Sequence, residues 1–388
     1  MKFNQWTLGL AAVGVVSLGS AMQAEEAASQ VLTAVSGTTL NGYVNTSAIW
    51  KFGTGNGLVG RSFDGATKQD GINLDVVKLT LEKPLDEAEW AAGYKVDLLY
   101  GPDATAFAAS GLGVGGAAWT IQNAYVALRA PVGNGLDLKV GAFDTIIGYE
   151  VFDAGSNPNY SRSYGYGLEP VQHAGVLASY RVNDMISVNA GIANSAVGGP
   201  RNARAESVKT YMASVTLTAP EALGPLAGST LYAGIIDGTG SAAATMDSTW
   251  LYSGATLKTP WEQLTVGVAF DYVFNKTGTV TAVNNNTGNW AYAVAGYASY
   301  QLTEKLKLNN RLDYTTGSDG SIYDVGANAL SDKQNELVAY TATVDYSLWE
   351  NVLTRAELRW DHSLGGDRPF GVSDKNAISV AANIIYKF

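Results

Sequence analysis

The chain ends in Asn376-Ala377-Ile378-Ser379-Val380-Ala381-Ala382-Asn383-Ile384-Ile385-Tyr386-Lys387-Phe388. Every second side chain from Ile378 to Phe388 is apolar, whereas the other parity is mostly small or polar. Because successive side chains of a strand point to opposite faces, this stretch predicts a strand with one apolar face. The closing strand of an outer-membrane barrel has this pattern, with an apolar face toward lipid and an aromatic residue at the membrane interface. We therefore predict an all-β transmembrane antiparallel barrel in the outer membrane, with Phe388 as the aromatic residue of its closing strand.

The first residues predict export from the cytoplasm. Lys2, the apolar stretch 8–18 and the small residue Ala24 are typical of a secretory signal peptide that is cut after Ala24. We predict three parts: a signal peptide at 1–24, a short periplasmic lead-in at 25–38 and the barrel at 39–388. Without Lys2, 24 of the 25 basic residues remain against 35 acidic ones, so the net charge is 24 − 35 = −11. This acidic balance argues against nucleic acid as a partner.

The mature sequence contains about 16 strand-like segments, which suits a large barrel. In 264–274, for example, Leu264, Val266 and Val268 share a face that opposes polar or small residues. Segment 72–83 changes phase halfway, and a β-bulge is one explanation. The predicted segments are 40–52, 72–83, 89–100, 119–130, 135–147, 172–183, 185–195, 206–219, 229–237, 248–258, 264–274, 289–302, 305–316, 336–348, 352–362 and 376–388.

The connections between these segments alternate between long and short, as expected when long loops lie outside the cell and short turns lie in the periplasm. The aromatic residues predict two girdles at the membrane interfaces. The outer girdle would contain Trp50, Tyr100, Trp119, Trp250, Phe274, Trp290 and Trp360, and the inner one Trp90, Tyr180, Tyr300, Tyr346, Tyr386 and Phe388. A secreted β-sandwich also has alternating strands, but it has no reason to place its aromatic residues in two bands.

Signals of catalysis or of a cofactor are weak. His173 and His362 are the two histidines, and cysteine is absent, so thiolate metal sites and disulfides are excluded. The glycine-rich stretches 55–60 and 111–116 match Gly-x-Gly-x-x-Gly, the spacing of dinucleotide-binding loops. The sequence predicts no helix after either stretch, so the dinucleotide-binding interpretation fails. The stretch 318–324 has too few acidic positions for a calcium loop. We predict no catalytic residue, no metal and no cofactor.

Many charged residues fall on the inward parity of the predicted strands. Facing lipid at the bilayer midplane, each would cost about 2 to 4 kcal/mol, so their number predicts a water-filled lumen. The alternative for any one of them is an ion pair that braces the wall. Besides the wall cations that we assign to a constriction below, the lumen-facing residues are Lys95, Asp97, Arg129, Lys139, Arg181, Asp271, Asp313, Asp345, Glu357 and Asp361.

Several short motifs lie around the connection between the fifth and sixth predicted strands. They are Val140-Gly141-Ala142-Phe143, Gly148-Tyr149-Glu150, Asn157-Pro158-Asn159-Tyr160-Ser161-Arg162-Ser163, Pro170 and His173-Ala174-Gly175-Val176. Together they resemble the beta-barrel porin type 2 (OmpL-like) family, and the strand pattern extends this resemblance over the mature chain. The resemblance implies passive diffusion of small solutes across the outer membrane, and it supplies no catalytic residues.

The connection 148–171 is the longest, at 24 residues. Each half could extend roughly 35 to 40 Å, far enough to fold deep into a barrel. In 16-stranded porins the loop at this position folds inward, so the resemblance implies a constriction here; an ordinary surface loop is the alternative. The predicted constriction residues are Glu150, Asp153, Arg162 and Glu169 on the loop, with Lys307, Arg311, Arg355 and Arg359 on the wall.

The predicted function is a porin that passes small hydrophilic solutes or ions, with a mild cation preference suggested by the acidic balance. An adhesin or structural barrel with a blocked lumen is the alternative, and an outer-membrane hydrolase is a third hypothesis. The predicted partners are outer-membrane lipid, the barrel-assembly machinery through the C-terminal strand, and small solutes. The sequence does not decide whether the chain forms a homo-oligomer.

Overall fold

The computed structural model describes residues 37–55, 57–105, 119–196, 209–239, 247–277, 289–318, 335–365 and 368–388. Within them, sixteen strands form one closed antiparallel barrel. The strands are β1 (Thr39–Phe52), β2 (Gly71–Lys83), β3 (Ala91–Tyr100), β4 (Trp119–Ala130), β5 (Leu136–Asp144), β6 (Gln172–Arg181), β7 (Ile186–Ala193), β8 (Thr210–Thr218), β9 (Thr230–Thr239), β10 (Asp247–Lys258), β11 (Leu264–Thr277), β12 (Asn289–Gln301), β13 (Leu306–Gly317), β14 (Asn335–Trp349), β15 (Val352–Ser363) and β16 (Asn376–Lys387). Every predicted segment overlaps one of these strands, so the predicted fold class is confirmed.

Short helices occupy some of the described connections. They are the α-helix α1 (Tyr164–Leu168) and 3₁₀ turns at Ala66–Lys68, Pro102–Ala104, Ala154–Ser156 and Glu221–Leu226. In the described part of the chain, no helix has the length and apolar character needed to span a membrane.

The two ends of the barrel carry different connections. Residues 53–55, 57–70, 101–105 and 145–171 lie at one end, which we call the long-connection end, and 182–185 and 350–351 lie at the opposite, short-connection end. The sequence prediction assigns the long-connection end to the cell exterior.

The first and last strands close the sheet through backbone hydrogen bonds. The Gly42 amide donates to the Phe388 carbonyl at 2.9 Å, and the Phe388 amide donates to the Gly42 carbonyl at 3.0 Å. A Cβ atom at Gly42 would lie 2.8 Å from the Phe388 ring, so the missing side chain provides the space for that ring. The last residue of the chain is therefore bonded directly to the first strand.

The strands present polar side chains inward and apolar side chains outward. On β13, Arg311, Asp313 and Thr315 are fully buried, whereas Leu312 between them is 57% exposed. On β11, Asp271 is buried and its neighbour Phe270 is exposed. A polar interior with an apolar exterior is the arrangement expected when the surrounding solvent is lipid.

The phase change in β2 is a β-bulge at Asp75. In the pairing with β1, Asn45 faces Val76 and Thr46 faces Leu74, which leaves Asp75 as the extra residue. Both Asp75 and Val76 are buried as a result. The bulge therefore directs an additional carboxylate into the barrel.

One aromatic residue of the predicted outer girdle is placed differently. Trp250 is buried, and its indole nitrogen donates to the Leu168 carbonyl at 2.9 Å. On β10 it shares the inward parity with the buried Ser248 and Tyr252. The prediction that Trp250 belongs to a lipid-facing girdle is therefore wrong, because the strand phase at this position points the ring into the lumen.

Candidate functional site

The connection 145–171 has internal structure of its own. The Asn157 side chain accepts a hydrogen bond from the Val151 amide at 2.8 Å and donates to the Val151 carbonyl at 2.7 Å. The Ser163 hydroxyl caps α1 by accepting from the Tyr166 amide at 3.3 Å. Such side-chain bonds to the backbone hold a loop in one conformation without a long helix.

Arg311 on β13 bonds this connection most extensively. Its guanidinium donates to Glu150 Oε1 at 2.8 Å, to the Ser161 carbonyl at 2.7 Å and to the Arg162 carbonyl at 3.0 Å. It also donates to Asp313 Oδ1 at 2.9 Å. Arg311 is fully buried, so these bonds satisfy a charge that has no access to water.

Arg355 and Arg359 on β15 also donate hydrogen bonds to backbone carbonyls of the connection 145–171. Arg355 donates to the Ala154 carbonyl at 2.6 Å and to the Asn157 carbonyl at 2.7 Å. Arg359 donates to the Arg162 carbonyl at 2.6 Å. The rigid fork of arginine suits such paired backbone contacts. These two buried arginines therefore hold the backbone of the connection against the wall.

The same wall also supplies acceptors. Glu357 accepts hydrogen bonds from the Tyr160 amide at 2.7 Å and the Ser161 amide at 3.1 Å. The Asn159 side-chain amide donates to the Thr343 hydroxyl at 2.7 Å. The middle of the connection thus has donors and acceptors matched by β14 and β15.

Strands β1 and β2 bond the connection around Asp153. The Tyr43 hydroxyl donates to Asp153 Oδ1 at 3.0 Å, and Lys78 Nζ donates to the same oxygen at 2.9 Å. The Tyr160 hydroxyl donates to Asp75 Oδ2 at 3.4 Å. The carboxylate directed inward by the β2 bulge is therefore one of the contacts.

Strands β10 and β12 hold the ends of the connection. Trp250 donates to the Leu168 carbonyl, as described above. Tyr149 stacks on Tyr297, with ring centroids 4.1 Å apart. Stacked aromatic pairs of this kind add to the free energy gained by burial alone.

Glu169 lies beside Asp271 on β11. Burial, together with the neighbouring Asp271 carboxyl, raises the pKa of Glu169 well above its ordinary value. A Cβ atom at position 165 would lie 2.2 Å from Asp271 Oδ2, so Gly165 leaves room for that carboxyl. Two adjacent carboxyls repel each other less when they share a proton than when both are ionised.

The contacts of 145–171 divide the barrel wall into two arcs. We call β10–β16 together with β1 and β2 the bonded arc, because its inward side chains carry the contacts described above. We call β3–β9 the open arc. There the connection contacts the wall near its own ends, for example through Thr145 and His173, whose side chains are 3.0 Å apart.

A second connection, 53–70, also reaches the bonded arc. The Arg61 guanidinium pairs with Asp64 and with Asp361 on β15, and it donates to the Ser379 hydroxyl on β16 at 3.2 Å. Although burial alone would raise it, the Arg61 and Arg359 guanidiniums hold the pKa of Asp64 below its ordinary value. Asp361 also accepts from the Tyr164 hydroxyl at 2.6 Å.

Aromatic contacts join the two connections to each other. Phe63 meets Phe152 edge-on with ring centroids 5.4 Å apart, and its ring lies 5.7 Å from that of Tyr166. The Arg162 guanidinium lies 5.1 Å from the Phe63 ring centre. The connection 53–70 therefore packs on the connection 145–171, a contact that the sequence did not predict.

Lys68 links the connection 53–70 to its neighbours. Its ammonium lies 2.6 Å from Asp75 and 2.5 Å from Asp103 in the turn Pro102–Ala104. Burial raises the pKa of Asp103 to about 6.

Described residues line two cavities beside the connection 145–171. Cavity A, of about 260 Å³, lies on the open arc and is lined by Lys95, Asn123, Tyr125, Lys139, Asp144, Thr145, Ile146, Leu177, Ser179, Asn189 and Tyr232. Cavity B, of about 240 Å³, lies on the bonded arc and is lined by Tyr149, Gly155, Ser156, Asn157, Pro158, Thr265, Ser299, Lys307, Asp345, Leu353 and Arg355.

The predicted constriction residues are therefore distributed over different environments. Glu150, Arg162, Arg311, Arg355 and Arg359 are buried among contacts between the connection and the wall. Asp153 is bonded by β1 and β2, Glu169 lies beside Asp271, and Lys307 faces cavity B. Where the sequence predicted an opening between loop acids and wall arginines, the space is filled by the backbone of the connection.

The predicted lumen residues also lie in different environments, some on the bonded arc and some facing cavity A. Asp313, Glu357 and Asp361 are buried on the bonded arc, and Asp345 pairs with Arg355 at 3.0 Å. Lys95 and Lys139 face cavity A.

Three further predicted lumen residues have partners on the wall itself. Asp97 is buried and accepts from the Thr80 hydroxyl at 2.6 Å. Arg129 pairs with Asp137 at 2.6 Å. Arg181 pairs with Asp184 at 2.6 Å, and both are exposed at the short-connection end.

Sequence reasoning missed several residues that hold the connection. Lys78 shares its strand parity with Thr80 and Glu82, so the alternation of β2 contained a signal for it. Asp75 could have been found from the bulge. Tyr43 likewise shares its strand parity with Asn45 and Ser47 on β1. Arg61 had no such signal, because it lies in a connection and its contacts are made across the fold.

A closed sixteen-strand barrel with an apolar exterior, a charged interior and a long connection folded against the inner wall defines an outer-membrane porin. The chain belongs to the family described as "Putative beta-barrel porin-2, OmpL-like", whose sequence model matches residues 37–388. It resides in the outer membrane and serves the passive diffusion of solutes.

Solved structures share the fold at low sequence identity. The outer membrane channel DcaP of Acinetobacter baumannii has 13% identity and a TM-score of 0.59, over 90% of this chain and 97% of DcaP. The anion-selective porin from Comamonas acidovorans has 10% identity and a TM-score of 0.59, over 90% and 99%. The trimer form of OmpT from Vibrio cholerae has 15% identity and a TM-score of 0.56, over 90% and 99%. Curated proteins include no significant sequence match to the chain.

Proposed function

We propose that solutes cross this porin along the open arc and that the connection 145–171 forms the constriction. The observation that carries this proposal is the difference between the two arcs. Buried arginines and Glu357 on the bonded arc are occupied by the connection, which also lines cavity B there, whereas cavity A is lined mainly by side chains of β3–β7 and β9. Small hydrophilic solutes suit such a passage, because its lining is polar and charged.

The proposal extends to partners and to the absence of catalysis. Phe388 at the end of β16 would be presented to the barrel-assembly machinery, and the apolar exterior would contact outer-membrane lipid. The trimer form of OmpT supports a homo-oligomer for this chain as well. We propose no catalytic role for the histidines, since His173 contacts Thr145 and His362 contacts Asn376. The signal peptide proposed at 1–24 lies outside the described residues.

The test is a planar-bilayer recording of the purified protein with and without the middle of the connection. Deleting residues 154–163 removes backbone that Arg311, Arg355 and Arg359 hold, so single-channel conductance should rise about two-fold or more, since pore diameter governs conductance. The matched control deletes ten residues at 322–331, a long connection that the sequence predicts to stay outside, and should change conductance less. On a denaturing gel, unheated samples of both variants should migrate differently from boiled samples, as expected for folded barrels.

Unchanged conductance after the first deletion, in a folded barrel, would contradict a constriction at 145–171. Absence of any current from the intact protein would favour a blocked barrel that acts through its surface connections.

A further inference from the structure

We propose that cavity A is a binding subsite for small carboxylate solutes, formed by the ammonium groups of Lys95 and Lys139. This inference rests on the proposed passage along the open arc and names the class of solute that the passage would favour.

Lys139 is the first element of the subsite. Within the described residues, no carboxylate oxygen lies within 4 Å of its ammonium group. The centre of the Tyr125 ring lies 5.0 Å from Nζ. An ammonium in a polar cavity without an anionic partner has three hydrogen-bond donors available to a solute.

Lys95 is the second element, and its own partners are distant. Its Nζ lies 3.9 Å from Glu82 Oε2 and 3.8 Å from Asp97 Oδ2, both beyond hydrogen-bond length. Asp97 is already bonded at closer range by Thr80 at 2.6 Å and Asn123 at 2.8 Å. Lys95 therefore also has donors available to a solute.

The sheet register brings the two lysines to the same place. Lys95 on β3 faces Tyr125 on β4, and Lys139 on β5 faces Ala127, two residues further along β4. Tyr125 itself faces Gly141, where a Cβ atom would lie 3.1 Å from the tyrosine Cβ. Gly141, with φ of 138°, therefore leaves room for the ring between the two lysines.

Other polar groups of cavity A are bonded to one another. The Ser179 hydroxyl donates to Asn189 at 2.6 Å. Asp144 accepts from the Gln122 and Asn123 amides at 3.0 and 2.9 Å. Asp144, the last residue of β5, also lines cavity A, but these amides bond it, and its carboxylate lies more than 4 Å from both ammonium groups.

The volume of cavity A limits the solute. About 260 Å³ corresponds to roughly eight or nine water molecules, enough for a short carboxylic or dicarboxylic acid. Cavity B is similar in volume and is also lined by two cationic side chains and one carboxylate, but Arg355 there pairs with Asp345 at 3.0 Å and donates to carbonyls of the connection. Lys307 is therefore the matched control for Lys139: a lumen lysine whose cavity holds no second ammonium group.

The experiment compares the double variant Lys95→Gln, Lys139→Gln with Lys307→Gln in the full chain. In a potassium chloride gradient, the anion-to-cation permeability ratio should fall about three-fold or more in the double variant. The succinate concentration that halves the current should rise about ten-fold, as expected for loss of charged hydrogen bonds. Lys307→Gln should change both quantities much less.

Equal effects from Lys307→Gln would overturn the subsite, because the lumen charge alone would then explain selectivity. Unchanged succinate block in the double variant would overturn it as well. If the intact protein carries no current, calorimetric titration of the detergent-solubilised barrel with succinate tests the subsite independently of conduction. Binding that disappears in the double variant would keep the subsite and reject only the diffusion pathway, and absence of binding would reject the subsite.

Discussion

The bonded arc and the open arc of this barrel use the same kinds of inward residue for different purposes. On β13 and β15, Arg311 and Arg359 are buried and donate to backbone carbonyls of the connection 145–171. On β3 and β5, Lys95 and Lys139 face a cavity. A charge in a barrel interior is therefore not by itself a sign of a pore lining, and its hydrogen-bond partners decide which role it has.

The largest expected effect is the loss of a buried arginine on the bonded arc. Arg311→Met leaves Glu150 and Asp313 without their cation, and breaking such a buried pair costs about 3 to 5 kcal/mol. We expect the unheated barrel to lose its compact gel mobility at a lower temperature and its channel current to become noisier. Arg181→Met is the control, because Arg181 pairs with Asp184 at an exposed site. Identical behaviour of the two variants would show that the bonded arc does not hold the connection.

A smaller effect is expected from the tryptophan that faces inward. Trp250→Phe keeps an aromatic ring but removes the donor to the Leu168 carbonyl, which costs about 1 kcal/mol. The control is Trp50→Phe, since Trp50 is 44% exposed on the outer surface. The temperature at which the barrel loses its unheated gel mobility should fall more for Trp250→Phe than for Trp50→Phe. A larger shift for Trp50→Phe would contradict the inward placement.

The smallest effect concerns Glu169 and pH. Because the pKa of Glu169 is raised in the folded barrel, its contribution to stability is complete below its ordinary pKa and decreases as pH rises through the raised value. As pH rises from acidic values, the intact barrel should lose thermal stability, measured by gel mobility against temperature. Glu169→Gln should lose less thermal stability over the same pH range. A pH dependence identical to that of the intact protein would show that folding does not raise the pKa of Glu169.

The strand pattern predicted the barrel well because each strand alternates on its own. The parity of 305–316 identifies Arg311 and Asp313 as inward without knowledge of any other strand. The bulge at Asp75 was also local, since two apolar phases meet in one segment. Trp250 was misassigned because an aromatic residue near a strand end suggested a girdle, although the parity of Ser248 and Tyr252 pointed inward.

The partners of the inward charges could not be predicted in the same way. Whether Arg359 contacts water or the Arg162 carbonyl depends on the path of a connection nearly 200 residues earlier in the sequence. The contact of Phe63 with Phe152 likewise joins two connections that share no sheet register. Sequence periodicity specifies the face on which a side chain lies, and the tertiary fold decides what it meets there.

The most direct test of the open arc uses two nearly isosteric substitutions in a chain that has no cysteine of its own. Ser179→Cys lies in cavity A, and Thr343→Cys lies on the bonded arc, where Thr343 is bonded to Asn159 and Glu357. A negatively charged methanethiosulfonate reagent is added during a bilayer recording. We predict a stepwise loss of current through Ser179→Cys channels and unchanged current through Thr343→Cys channels. Block of Thr343→Cys with no effect on Ser179→Cys would contradict passage along the open arc.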